Sequence, residues 1–251
     1  MERWFVAALA ALAGLAAGCA SSSAPSPTES GPLQHYQMAR MYFEQGRTDD
    51  ALKEIDLSLR RDDALPQVHF YQGFIYYSLG DPTKAVPSFE AAIQRDPYYT
   101  DARMYLAASY EELGRPQDAL AELDRALSNK TYPTPEKILV NKALILARQG
   151  QYEPALAALR QAIDLKPRYY RAHFETAQIL ETTGRGKEAL AAYGTAAPGY
   201  VEDAAFHLAY GSALFRARRE AEAKVELKRA IELAPGSTVA GKASELLGVI
   251  D

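Results

Sequence analysis

The chain has 251 residues, 48% hydrophobic and 24% charged, with a formal net charge of −4. Those proportions exclude global disorder. The acidic balance argues against nucleic acid as the main partner, because phosphate binding needs a basic surface. A single cysteine, Cys19, excludes an intramolecular disulfide and a cysteine-rich zinc site.

The first element is a run of fourteen apolar or glycine residues, Phe5 to Gly18. A helix crossing the hydrocarbon core needs about 20 such residues, so residues 1–18 read as a signal peptide. The run ends Leu15-Ala16-Ala17-Gly18-Cys19, which resembles a bacterial lipoprotein processing box. Ala16 stands where that box prefers leucine, and Leu15 lies one place earlier. The resemblance implies that Cys19 is lipidated and becomes the new N-terminus. Several acyl chains would hold it firmly, at about 0.8 kcal/mol per buried methylene. Ala20, in place of an aspartate, implies the outer membrane, with the protein on its periplasmic face. Residues 19–31 form the lipidated cysteine and a Ser/Pro tether, ASSSAPSPTESG from Ala20, with nothing that can build a core. Its twelve residues reach at most ~40 Å.

From Pro32 the sequence repeats. Units begin at Pro32, Pro66, Thr100, Glu136, Tyr170 and Ala204, in steps of 34, 34, 36, 34 and 34 residues. This gives units 32–65, 66–99, 100–135, 136–169, 170–203 and 204–237. The eighth place is small: Ala39, Gly73, Ala107, Ala143, Ala177 and Gly211. The eleventh is large, from Tyr42 to Leu214. The twentieth is always alanine: Ala51, Ala85, Ala119, Ala155, Ala189 and Ala223. Glycine marks the turn in five units, at Gly46, Gly80, Gly114, Gly150 and Gly184, and Arg218 takes that place in the sixth. An insertion, Asn129 to Pro135, lengthens the third unit. Residues 238–251 read as a capping helix, with Val239, Ala243, Leu246, Leu247 and Ile250 turned back onto the stack.

This pattern resembles the tetratricopeptide repeat over about 206 of the 233 residues from Cys19 onward. Small residues let paired helices approach, and glycine ends the first helix in a left-handed turn. Each pair leaves an apolar face that only its neighbour can cover. The expected fold is all-α, a right-handed superhelix of six repeats plus the cap.

The histidines, His35, His69, His173 and His207, all hold the fourth place of a unit. That place packs between the two helices of its own unit, and no third ligand is near, so no metal is expected. Nothing suggests a cofactor or an enzyme: no phosphate loop, HExxH or Gly-x-Ser-x-Gly arrangement occurs.

The groove is more informative. In stacked repeats of this kind the second, fifth, ninth and twelfth places of the first helix line the concave face. The candidate partner-binding residues there are Leu33, Tyr36, Phe43, Phe70, Phe74, Tyr77, Met104, Val140, Leu144, Phe174, Leu208 and Phe215. Five aromatic rings fall in the first two units, and such a patch marks a partner site. An apolar strand or an amphipathic helix would fit it.

A lipoprotein head, a short tether and six repeats resemble the type IV pilus biogenesis lipoproteins, the PilF/PilW/Tgl-like secretin pilotins. The segment Tyr132-Pro133, followed by Lys137-Ile138-Leu139-Val140-Asn141-Lys142-Ala143-Leu144, strengthens the likeness. The resemblance implies a monomeric pilotin that binds secretin subunits of the type IV pilus machine. It would promote their outer-membrane insertion and multimerisation, and so pilus assembly and pilus-dependent motility. The competing expectation is another envelope scaffold of the same build, serving outer-membrane protein assembly or acting as a protease adaptor.

Overall fold

The computed structural model describes residues 31–250. The signal peptide, Cys19 and all of the tether before Gly31 lie outside the described residues. Thirteen α-helices and one short 3-10 turn, Ala197–Gly199, make up the described fold, with no strand among the described residues. The helices run α1 Pro32–Glu44, α2 Thr48–Arg61, α3 Pro66–Ser78, α4 Pro82–Arg95, α5 Thr100–Glu112, α6 Pro116–Ser128 and α7 Pro135–Arg148. They continue with α8 Tyr152–Leu165, α9 Tyr170–Thr182, α10 Gly186–Ala196, α11 Ala204–Arg216, α12 Glu220–Leu233 and α13 Thr238–Ile250. They pack as consecutive antiparallel pairs, from α1 with α2 to α11 with α12, and each pair stacks on the next. The result is the tetratricopeptide superhelix, closed at its end by α13.

The turns show why the sequence repeats. After α1, Gly46 adopts φ 74°. Its N–H donates to Phe43 O and that of Arg47 to Tyr42 O. This paired arrangement satisfies carbonyls left free by the helix end. The same two bonds recur at each later turn within a pair. At the sixth turn the residue is Arg218, which adopts φ 60° without being glycine.

Packing follows the same period. All six alanines of the twentieth place are fully buried. So are the large residues four places on, Ile55, Phe89, Leu123, Leu159, Tyr193 and Leu227. A Cβ on Gly73 would meet the Phe89 ring at 2.7 Å, and one on Gly211 would meet Leu227 at 2.9 Å. Glycine at the eighth place therefore sets how closely these two pairs can approach. In α13, Val239, Leu246, Leu247 and Ile250 pack with buried Ala243 against Leu227 and Ala230.

Candidate functional site: the inner wall of the superhelix

The first helices of neighbouring pairs pack on one another, α3 on α5 and α7 on α9, the side expected from the repeat to form the inner wall of the stack. On α1, α3 and α5 the aromatic side chains form one connected network. Tyr36 meets Tyr71 edge-on at 5.7 Å, and Phe43 meets both Tyr71 and Phe74. Phe74 packs edge-on against Tyr105 at 5.5 Å. Phe70 touches Phe74, Phe89, Tyr99 and Tyr105, with Tyr99 nearest at 5.0 Å. Edge-to-face and offset arrangements of this kind are the favoured ones for aromatic pairs. Arg40 lies over the Tyr36 ring at 5.9 Å.

The rings hold one another in place and remain only partly covered: Tyr36, Phe43, Phe70, Tyr71, Phe74 and Tyr105 are all half-buried. Burial pushes the Tyr71 hydroxyl up to about 12 and raises that of Tyr105 as well. Leu33 is the most open of the candidates, at 52% exposure.

Two candidates do not line a groove. Val140 is fully buried, in the core cluster that joins α7, α8 and α9. Tyr77 is 9% exposed, with its ring on Tyr105 in the seam between α3 and α5. Met104 is half-buried. The insertion folds back over the start of α5, so that the Tyr132 hydroxyl donates to Asp101 Oδ1 at 2.7 Å and lies 3.6 Å from the Met104 sulfur. Asn129 ties the insertion to Thr100 Oγ1 at 2.9 Å.

Leu144 packs on the cluster around α8, and Leu208 on the one beneath α13. Phe174 joins a second aromatic group with Tyr193, Tyr200 and Phe206. Phe215 is half-buried near the end of α11. Sequence reasoning missed Tyr71, Tyr99 and Tyr105. Tyr71 and Tyr105 stand one place after the fifth, and the signal that could have found them is the run of aromatics on both sides of that place.

Beyond α5, ion pairs also link the first helices of neighbouring pairs. Glu111 pairs with Arg148 across α5 and α7, and Glu181 with Arg216 across α9 and α11. Glu175 lies 3.6 Å from Arg171. Burial raises its carboxyl above the usual range, against the opposing pull of Arg171.

The histidines are engaged elsewhere. His35 Nδ1 is 2.7 Å from Glu54 and His207 Nδ1 is 2.6 Å from Glu226. His69 and His173 donate to backbone carbonyls. No group of three or more possible metal ligands occurs among the described residues. No helix among them is long and apolar enough to cross a membrane.

Models of the tetratricopeptide repeat match residues 36–100 and 140–200, and a second model of that repeat matches 76–131. Among solved structures the chain is similar to PilW, a widely conserved type IV pilus biogenesis factor. The identity is 23%, covering 85% of this chain and 98% of that one, with a TM-score of 0.75. It is also similar to PilF of Pseudomonas aeruginosa, at 17% identity, 87% and 97% coverage and a TM-score of 0.72. MamA follows at 20% identity, 67% and 91% coverage and a TM-score of 0.60. At these identities the likeness is one of fold. No curated protein sequence matches the chain.

Proposed function

The chain belongs to the tetratricopeptide repeat family, and from that premise we propose that it is a lipid-anchored pilotin of the outer membrane. In this reading it binds a secretin subunit of the type IV pilus machine and promotes its insertion and multimerisation. It works by binding, not by catalysis. The observation that carries the reading is the connected belt of half-buried rings on α1, α3 and α5, which offers an apolar wall to a segment of a partner. The fold shared with PilW and PilF supports the choice of the pilus machine.

The parts have separate roles. The lipid on Cys19 gives localisation and the tether gives reach. The belt shields an apolar secretin segment until it assembles. Confinement to the membrane raises the effective concentration of the bound subunit without any new contact.

The test combines Tyr36→Ala with Phe74→Ala in the full-length protein. Secretin multimers should be lost while circular dichroism and the melting transition still show a folded helical protein. Because both rings support neighbours, Leu33→Glu at an open position is the second variant, and it too should reduce multimers. Normal multimer levels in both would overturn the assignment. A pull-down of residues 20–251 from envelope extract should recover secretin. Recovery of outer-membrane assembly factors or a protease instead would favour the other envelope scaffolds.

A further inference from the structure

Several tyrosines give their hydroxyls to carboxylates: Tyr110 to Glu90, Tyr132 to Asp101 and Tyr193 to Glu181. The belt differs. Tyr36, Tyr71, Tyr99 and Tyr105 are all half-buried, yet their hydroxyls have no hydrogen-bond partner among the described residues. These hydroxyls lie together, since Tyr36 acts electrostatically on both Tyr71 and Tyr99, and Asp101 on both Tyr99 and Tyr105. Burial raises Tyr71, Tyr99 and Tyr105, so at neutral pH each keeps its proton and is a donor. Arg40 stands beside them. It is exposed, its guanidinium lies 5.9 Å from the Tyr36 ring centroid, and it has no carboxylate partner among the described residues.

A wall of rings with unpaired donors discriminates among the segments that could cover it. An amphipathic helix keeps its backbone groups bonded to one another, so its apolar face would cover the hydroxyls and accept nothing from them. Covering a donor in this way costs more than the bond itself returns when made. A strand docks through a sheet edge, and there is no strand among the described residues. A polyproline II chain has no internal hydrogen bonds, leaves every carbonyl free to accept, and advances ~6 Å in two residues. The belt steps from Tyr36 to Tyr71, Phe74 and Tyr105 at 5.7, 5.8 and 5.5 Å. Pyrrolidine rings pack well on aromatic walls, and the stiff chain loses little entropy on binding.

We propose that the occupant of the belt is a proline-rich partner segment in the polyproline II conformation, with a carboxylate placed beside Arg40. The tyrosine hydroxyls donate to its backbone carbonyls while the rings take its pyrrolidines. Arg40 supplies the one full charge, and an acidic residue in the segment complements it. This occupant rests on the reading of the belt as a partner site and gives that partner its chemistry.

The test titrates the full lipidated chain in detergent micelles against fluorescent peptides, reading anisotropy with binding to empty micelles subtracted. The probe is a run of prolines around a central glutamate. It should bind roughly tenfold or more tightly than a helical peptide with a leucine stripe, or an alternating valine–threonine peptide, of the same length and charge. Tyr36→Phe with Tyr71→Phe and Tyr105→Phe keeps every ring and removes three donors. Circular dichroism should be unchanged, and affinity for the probe should fall about tenfold or more. Arg40→Gln should weaken the glutamate probe several-fold and leave a glutamine-centred analogue unaffected. No binding of the probe, tighter binding of the helical or strand peptide or of an N-acetylglucosamine tetramer, or full affinity in the triple variant would each overturn the proposal. Equal effects of Arg40→Gln on both proline peptides would overturn the carboxylate. The pilotin reading is judged separately. It survives those failures if Tyr36→Ala with Phe74→Ala still abolishes secretin multimers, and it falls alone if the proline probe binds while that variant multimerises secretin normally.

Discussion

His207 and Glu226 face each other at 2.6 Å between α11 and α12, and the same nineteen-residue spacing sets His35 2.7 Å from Glu54 and Arg103 2.7 Å from Glu122. In α7 and α8 the corresponding places hold Leu139 and Ala158, both buried. In α3 and α9 the second-helix residue is Ser88 or Ala192, with no charge, and His69 and His173 turn to backbone carbonyls. One slot inside each pair is therefore filled by a carboxylate held by a histidine or an arginine, by apolar residues or by a backbone-bonded histidine. No carboxylate stands in it alone. Continuum reasoning explains this, since a buried charge without its partner loses more hydration than its surroundings return.

Arg103→Leu tests the slot. Glu122 would keep only Arg125, whose own side chain is 62% exposed. The expected loss is about 3 kcal/mol, the usual scale for breaking a buried pair. Adding Glu122→Ala copies the Leu139 and Ala158 arrangement and should recover most of the loss. Denaturant midpoints at unchanged slope would measure both steps. A double variant no more stable than the single one would refute the argument.

Arg218 invites the opposite change. It sits at φ 60°, where the other five turns have glycine, and it is exposed. Left-handed backbone costs a non-glycine residue about 1 kcal/mol or more, while the added freedom of an unfolded glycine takes part of that back. Arg218→Gly should therefore raise stability by a few tenths to about 1 kcal/mol. Gly114→Ala should lower it by about 1 kcal/mol. Nothing lies within 4 Å of the added Cβ at Gly114, so that loss would be a backbone effect alone.

The stack was legible because its demands are local. An alanine at every twentieth place, each fully buried, is readable without knowing the neighbours, since close approach of two helices tolerates little else. A glycine at five of the six turns is readable for the same reason. The groove was less legible because exposure there depends on how far one pair is rotated against the next. Tyr77 and Val140 occupy places that face the hollow by period, yet the seam between pairs covers them. Tyr71 and Tyr105 were overlooked because they sit one place beyond the fifth. Their rings reach the wall through contacts with Tyr36, Phe43 and Phe74.

Gly73→Ala probes the approach of α3 and α4. The new Cβ would stand 2.7 Å from two atoms of the Phe89 ring, and Phe89 is fully buried, so the ring has little room to withdraw. Overpacking of this kind costs about 1–3 kcal/mol, offset in part by the better helix propensity of alanine. Adding Phe89→Leu reproduces the Ala107 and Leu123 pairing found in α5 and α6, and should restore most of the stability. If Gly73→Ala alone is neutral in thermal unfolding, the ring is not the limit on helix approach.

Alkaline pH should unfold the protein through its tyrosines. Burial pushes Tyr71, in the belt, up to about 12 from the ordinary tyrosine value of about 10, and Tyr200, in the second aromatic group, also to about 12. The folded state thus holds these protons after the unfolded chain has released them. With fewer protons bound when unfolded, stability falls as pH rises between about 10 and 12, and these groups contribute no slope below that window. The phenolate absorbance owed to Tyr71 and Tyr200, read as the difference between the unaltered chain and the variant lacking both, should rise in step with the loss of helical circular dichroism. Tyr71→Phe combined with Tyr200→Phe removes two of the linked protons, so the decline of stability with pH should become shallower. That difference signal appearing well ahead of helix loss would mean that water already reaches these two hydroxyls in the folded state, and that the belt is more open than its packing implies.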